Sequence, residues 1–266
     1  MTATILSHLP ERHPWRHQIH WFETIGSTNT EAKRMAAAGA PHGTVLIADH
    51  QTAGRGRLGR SFQSPTGAGI YMSVILRPDC PPTELMHLTC ATAVAMCDAV
   101  ENSLGFRPGI KWINDLVVGS KKLAGILTEL SIDPKTGLVD YGVVGIGINC
   151  TEKEMDFPEE IRPIACSAAM VTGKSIDRSP LAAAMIIELE KTNSTLLSGK
   201  EAIMDQYRRD CVTLGKSVQV LQGDSKRCGT ALDIDPEGAL IVAYPDGSVE
   251  TVNSGEVSVR GMYGYI

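Results

Sequence analysis

Three arginines and three glycines crowd into the seven positions from Gly54 to Arg60, within Gln51-Thr52-Ala53-Gly54-Arg55-Gly56-Arg57-Leu58-Gly59-Arg60. Glycine loses more conformational entropy on folding than any other residue, so ordering such a loop is costly unless a ligand helps. An anion is the natural one, because glycine backbone N–H groups approach it closely and guanidinium forks bind phosphate or carboxylate. The alternative is a solvated charged loop. The literal G-x-G-x-x-G match also raises a dinucleotide site, which needs a following helix and an acidic residue about twenty positions on. Ser61-Phe62-Gln63-Ser64-Pro65-Thr66-Gly67 and then a strand follow instead. A kinase-type loop needs a lysine in the next strand, an H-R-D and a D-F-G, none of which is present. Single-stranded nucleic acid asks for stacking aromatics and a wide basic surface. Phe62 is the only aromatic close by, and the chain carries a net charge of −5.

Three further polar islands interrupt apolar strands. In Lys111-Trp112-Ile113-Asn114-Asp115, strand alternation places Lys111 and Asp115 on one face and Asn114 on the other. A turn at Asn114-Asp115 is the structural alternative. Lys121-Lys122-Leu123-Ala124-Gly125 opens the next strand and could be two solvated hairpin lysines. Gly145-Ile146-Gly147-Ile148-Asn149 ends a third, where glycines permit close backbone approach or form a bulge.

The elements that must position these groups are legible in outline. Strands are expected at 18–25, 43–49, 68–77, 109–118, 122–132 and 138–148. Helices are expected at 28–38, with Thr28 as N-cap and Glu31 completing a capping box, and at 83–104. Two more follow near 180–198, opened by Ser179-Pro180, and over 200–210. Closely spaced strands with short turns argue for an antiparallel or mixed sheet. From Gly215 the pattern turns to short strands with turns at Asp235-Pro236-Glu237-Gly238 and Pro245-Asp246-Gly247, a small β-barrel expected to pack on the main domain.

With 266 residues and 43% hydrophobic content the chain can bury a sizeable core. No apolar run spans a bilayer and no signal peptide is evident, so no membrane partner and a cytoplasmic location are expected. The seven cysteines are odd in number and lack a C-x-x-C pair, which reads as buried reduced thiols. His13, His17 and His20 sit beside Pro14 in polar surroundings. They do not read as a zinc site, and residues 1–17 read as a loose leader.

Taken in order, Ser27-Thr28-Asn29, the Gln51–Arg60 loop, Lys111-Trp112-Ile113-Asn114-Asp115-Leu116, Lys122-Leu123-Ala124-Gly125-Ile126-Leu127 and Gly145-Ile146-Gly147-Ile148-Asn149 resemble the motif set of biotin–protein ligases. The set spans residues 27 to 149, and the family's usual proline in K-W-P-N-D is Ile113 here. The resemblance implies an α+β fold. A mixed or antiparallel sheet with flanking helices, as in class II synthetase-like biotin/lipoate ligase catalytic domains, would occupy 18–212, and an SH3-like β-barrel 213–266. It implies an ATP-dependent enzyme that makes biotinyl-5′-AMP, releases pyrophosphate, and transfers biotin to a lysine of a carrier domain of a biotin-dependent carboxylase or decarboxylase.

By that resemblance Ser27, Thr28, Asn29, Gln51, Gly54, Arg55, Gly56, Arg57 and Lys122 bind biotin. Arg55, Arg57, Trp112, Asn114, Asp115 and Asn149 contact ATP or the adenylate, with Trp112 packing around the site. Arg57, Lys122 and Lys111 are the catalytic candidates. No protein-held metal is expected. Mg²⁺ would come with ATP, near Asn114 and Asp115. A lipoate or octanoate ligase of the same fold and a non-catalytic nucleotide-binding module are the rival readings. Some family members carry an N-terminal winged-helix domain. About seventeen residues precede the first strand here, so the expectation is a ligase without operator binding, acting as a monomer or homodimer.

Overall fold

In the computed structural model, residues 2–222, 225–253 and 257–261 are described. Seven strands form the main sheet: β1 Ile19–Ile25, β2 Thr44–Gln51, β3 Gly69–Leu76, β4 Gly109–Lys111, β5 Asp115–Val118, β6 Lys121–Ile132 and β7 Val139–Asn149. Their order is β1-β2-β3-β7-β6-β5-β4. Only the β1–β2 pair is parallel; every other neighbour runs antiparallel. The helices are α1 Thr2–His8, α2 Thr28–Ala37, α3 Leu88–Leu104, α4 Ala168–Thr172, α5 Arg178–Ser194 and α6 Lys200–Asp210.

Strand alternation sorts the core into two layers. Val45, Ile47, Val74 and Val144 face the layer built on α3 and α5, which holds most of the buried apolar residues. Leu46, Ile75 and Val143 face the other way and take Ala32 and Ala36 of α2. That second face is only partly covered by α2, and the uncovered part becomes the site.

The tail folds as expected into a small sheet: β8 Ser217–Gln222, β9 Ser225–Ile234, β10 Leu240–Ala243, β11 Val249–Val252 and β12 Val257–Gly261, antiparallel in the order β11-β10-β9-β8-β12. Both expected turns form, and their glycines take positive φ, 89° at Gly238 and 86° at Gly247. The tail packs on the main domain: Trp112 Nε1 donates to Gly238 O at 2.9 Å, and Lys200 pairs with Glu237.

Several expectations are corrected. The leader is not loose: Ile5, Leu9 and Trp15 are buried, and Arg16 donates to the carbonyls of Leu6 and Leu9. The 109–118 stretch is a hairpin, not one strand. Trp112 N–H is drawn to Thr213 Oγ1 and Ile126 N–H to Asn114 O, so the chain reverses over 112–114. Lys111 and Asp115 still share a face, because they are paired residues of an antiparallel ladder. The long helix begins only at Leu88; a separate 3₁₀ turn covers Pro82–Leu85. Asp177, not Ser179, caps α5, its carboxylate accepting from Ser179 N–H.

Candidate active site

The capping box expected at the start of α2 does not form. Ser27 takes the N-cap position without a side-chain capping bond, Glu31 pairs with Arg34, and Thr28 turns its hydroxyl to Gln51 Oε1 at 3.1 Å. A local rule broken in this way points to a site that uses the side chain. Gln51 Oε1 also accepts from Thr28 N–H at 2.8 Å, and Gln51 Nε2 donates to Ser64 Oγ at 2.9 Å. Asn29 is held through its amide nitrogen by Leu127 O at 3.3 Å and by Glu129 Oε2 at 3.1 Å. Ser73 Oγ lies 2.6 Å from Asn29 Oδ1 and 2.8 Å from Thr28 Oγ1.

Counting protons in this cluster is informative. Asn29 Oδ1 can only accept, so the single Ser73 proton goes to it. Thr28 then has one hydroxyl proton for two acceptors, Ser73 Oγ and Gln51 Oε1. Asn29 Oδ1 and the two hydroxyl oxygens keep lone pairs to spare, and a neutral ligand bearing N–H groups can bond to them.

Glycines make the floor. Gly125 pairs with Gly147 and Leu127 with Gly145 across β6 and β7, and paired residues share a face. An added Cβ at Gly145 would fall 1.8 Å from Asn29 Oδ1, at Gly147 2.4 Å from the Phe62 ring, and at Gly125 3.0 Å from Lys122 Nζ. The strand therefore changes layer by layer along β7: Val143 receives α2, Gly145 receives Asn29, and Gly147 receives Phe62.

The Gly54–Arg60 loop closes over this floor as a hairpin. Phe62 N–H donates to Gly54 O, and Gly56 N–H donates to Arg60 O at 2.7 Å. A Cβ at Gly54 would meet Phe62 O at 2.3 Å, so glycine is required where the loop's arms touch. Leu58 (φ 54°) and Gly59 (φ 72°) turn the tip through the left-handed region, and Leu58 stands 56% exposed.

Positive charge collects at the other end of the cleft. Arg57 Nη1 donates to Asn114 Oδ1 at 3.1 Å. Lys122 Nζ pairs with Asp115 Oδ1 at 2.6 Å and lies 6.0 Å from the Phe62 ring centroid. Burial lowers the Arg57 pKa; Asp115 opposes that and Arg60 adds to it. The Arg57 guanidinium is thus desolvated beside a second cation, which favours an anionic ligand.

Ser27, Thr28, Asn29, Gln51, Arg55, Gly56, Arg57, Asn114, Asp115 and Lys122 all line one cleft, together with Arg60, Ser61 and Phe62. Gly54 lies at the base of the loop. Lys111, Trp112 and Asn149 do not line the cleft. Trp112 is buried against the tail, and the Asn149 amide donates to Cys166 O at 3.0 Å. Reading the sequence missed Ser73 and Glu129.

Asp115 is the sole carboxylate among the residues lining the cleft, and no group of three His, Cys, Asp or Glu among the described residues is placed to hold a metal ion. Such a donor set fits Mg²⁺ arriving on nucleotide phosphates, since that ion uses one or two carboxylates with phosphate oxygens and water.

A second cavity lies beyond the loop, lined by His50, Gln63, Glu152 and Asp156 among others. Glu152 is 3% exposed, and its Oε2 has no hydrogen-bond partner. Burial pushes its pKa from 4.5 to about 7, against opposing backbone N–H groups. The folded chain therefore keeps a proton that the unfolded chain loses, and stability falls as pH rises through the window from about 4.5 to about 7. Glu152→Gln is expected to raise Tm by several degrees at pH 8 and much less at pH 5, given roughly 2–4 °C per kcal/mol at this size. Equal shifts at both pH values by calorimetry would contradict it.

Fold and cleft together define a class, and the comparisons agree. The sequence model of the Biotin/lipoate A/B protein ligase family matches residues 21–149, and that of the Biotin protein ligase C terminal domain matches 213–260. The biotin–[acetyl-CoA-carboxylase] ligase of Mycobacterium tuberculosis is 35% identical over 249 residues, covering 91% of this chain and 89% of that one. The bifunctional ligase/repressor BirA of Bacillus subtilis is 33% identical over 240 residues, covering 90% of this chain and 73% of that one. A biotin protein ligase from Aquifex aeolicus, solved in complex with biotin and ATP, superposes with a TM-score of 0.78 at 30% identity, over 92% of this chain and 99% of that one. The chain belongs to the biotin–protein ligase family of enzymes. No helix among the described residues is long and apolar enough to cross a membrane.

Proposed function

We propose that the chain activates biotin as biotinyl-5′-AMP and passes the biotinyl group to a lysine of a biotin carboxyl carrier domain. One observation carries this reading: a single cleft runs from a neutral pocket of amide and hydroxyl groups, over a glycine floor, to a desolvated cationic end. Biotin has the matching order of parts, a ureido ring with two N–H groups, an apolar arm and a carboxylate.

In the first step a carboxylate oxygen attacks the α-phosphorus of ATP, and the bond to pyrophosphate breaks. Two anions must be brought together, so positioning and charge neutralisation supply most of the rate. Arg57 and Lys122 serve that end, with Arg55 and Arg60 on the same loop. Asn114 orients Arg57, and Asp115 orients Lys122. Mg²⁺ on the phosphates would be met by Asp115 and Asn114, and it supplies further charge neutralisation. In the second step a lysine amine attacks the acyl carbon and AMP leaves. The Gly54–Arg60 loop, closed over the floor, keeps water from the mixed anhydride until then.

A lipoyl or octanoyl tail would leave Asn29, Thr28 and Gln51 facing an apolar group. Sites built to hydrogen-bond a substrate reject analogues lacking those groups by roughly 10⁴-fold. Gly145→Ala tests the neutral end: it drives Asn29 from its place and raises the Kd for biotin by about 10–100-fold, the cost of leaving buried polar groups unpaired. Titration calorimetry showing unchanged affinity would contradict the assignment. For the whole reaction, incubation with biotin, ATP, Mg²⁺ and a carrier domain is expected to add one biotinyl group to one lysine by mass spectrometry. An unmodified acceptor would overturn the proposal.

A further inference from the structure

The Glu129 carboxylate lies outside the cleft lining yet gathers three donors from two separate segments, α2 and the glycine–arginine loop. Lys33 Nζ of α2 donates at 2.8 Å, the Asn29 amide at 3.1 Å, and Arg55 Nη1 of the loop at 3.2 and 3.3 Å to the two oxygens. Its side chain is 23% exposed, against 43% for Arg55. Burial pushes the Glu129 pKa up, and the donors Lys33 and Asn29 with the charges of Lys33 and Arg55 outweigh that, so the group stays ionised. The contacts then continue without a break: Glu129 to Asn29, Asn29 to Ser73, Ser73 to Thr28, Thr28 to Gln51, Gln51 to Ser64, and Ser64 Oγ to Phe62 O at 3.1 Å. Arg55 and Phe62 are the two arms of the same loop. The circuit leaves one arm, passes beneath the head pocket, and returns to the other.

We propose that Glu129 is a positioning residue: it latches Arg55, and with it the loop, to the head pocket, so that the loop's grip on an acyl-adenylate depends on a carboxylate that does not itself line the cleft. Arg55 of the loop and Asn29 of α2 meet on one acceptor, Glu129 Oε2. Filling the head pocket re-sorts the shared protons around Ser73 and Thr28, and the same chain of contacts carries that change to both arms. This inference rests on the acyl-adenylate reading above.

The test is a double-mutant cycle on Glu129→Gln and Arg55→Ala, reading the release rate of biotinyl-adenylate formed in place from labelled biotin and ATP. Glutamine keeps an acceptor for Asn29 and removes the charge that holds Arg55. A partly exposed pair predicts release about two- to five-fold faster in Glu129→Gln, at least as fast in Arg55→Ala, and no faster in the double variant than in Arg55→Ala. Unchanged release in Glu129→Gln, or single effects that multiply in the double variant, would overturn the latch. Hydrogen exchange of residues 54–60 in the ligand-free proteins separates the latch from the reading it rests on. If none of the four proteins forms an adenylate, the functional reading has failed. Faster exchange in Glu129→Gln then still supports the latch, and equal exchange rejects it.

Discussion

Lys122→Ala is expected to lower kcat for biotin-dependent ATP–pyrophosphate exchange by about 10²–10³-fold, the usual cost of removing one preorganised charge-stabilising group. The reason lies in where its ammonium stands. Lys122 Nζ is fixed by Asp115 Oδ1 at 2.6 Å and rests against Gly125, whose missing Cβ leaves room for it. It is therefore in place before any anion arrives, and its position costs nothing when charge develops in the transition state. Removing it leaves Asp115, a third negative charge, facing two approaching anions. The pair is partly exposed, so the fold should survive with a small change in Tm. If exchange in the folded variant ran at the wild-type rate, Lys122 would have no part in adenylation.

Arg57→Ala should separate retention from synthesis. Its guanidinium is desolvated and aimed by Asn114. Losing its charge-assisted hydrogen bonds to an acyl-phosphate costs about 1.5–3 kcal/mol, or roughly 10–150-fold faster release of biotinyl-adenylate. The loop's own hairpin does not depend on that side chain, because it closes through backbone bonds from Gly56 to Arg60 and from Phe62 to Gly54. Thermal unfolding should therefore barely move. Stopped-flow release matching wild type would show that Arg57 does not grip the intermediate.

The cationic end of the cleft was legible because several of its residues come in short polar islands where the surrounding strand pattern calls for apolar ones. Asn114, Asp115 and Lys122 belong to such islands, Arg55 and Arg57 to the glycine–arginine loop, and Ser27-Thr28-Asn29 and Gln51 came from the family resemblance; the structure brings all of them together in one cleft. Two of their motif neighbours stand outside that cleft. Trp112 sits within a site motif but is claimed by Gly238, 126 positions away, and Asn149 is claimed by Cys166. Strand alternation also assumed one strand over 109–118, which contacts to Thr213 and Ile126 fold into a hairpin. Ser73 and Glu129 were hidden for the opposite reason. One polar residue in a strand reads as an ordinary outward position, and the Glu129 partner Asn29 lies 100 positions away. The leader misled because its apolar residues, Ile5, Leu9 and Trp15, are too sparse to show a period. They are buried on a helical layer that only the folded chain assembles.

The central claim is that one cleft binds an acid with a neutral, N–H-bearing head at one end and activates its carboxylate at the other. ATP–pyrophosphate exchange measured with biotin, lipoate, octanoate and no added acid puts that to the test most directly. Strong exchange with biotin, and none above background with lipoate, octanoate or no acid, is the predicted result. Equal exchange with lipoate or octanoate, or exchange without any acid, would contradict it.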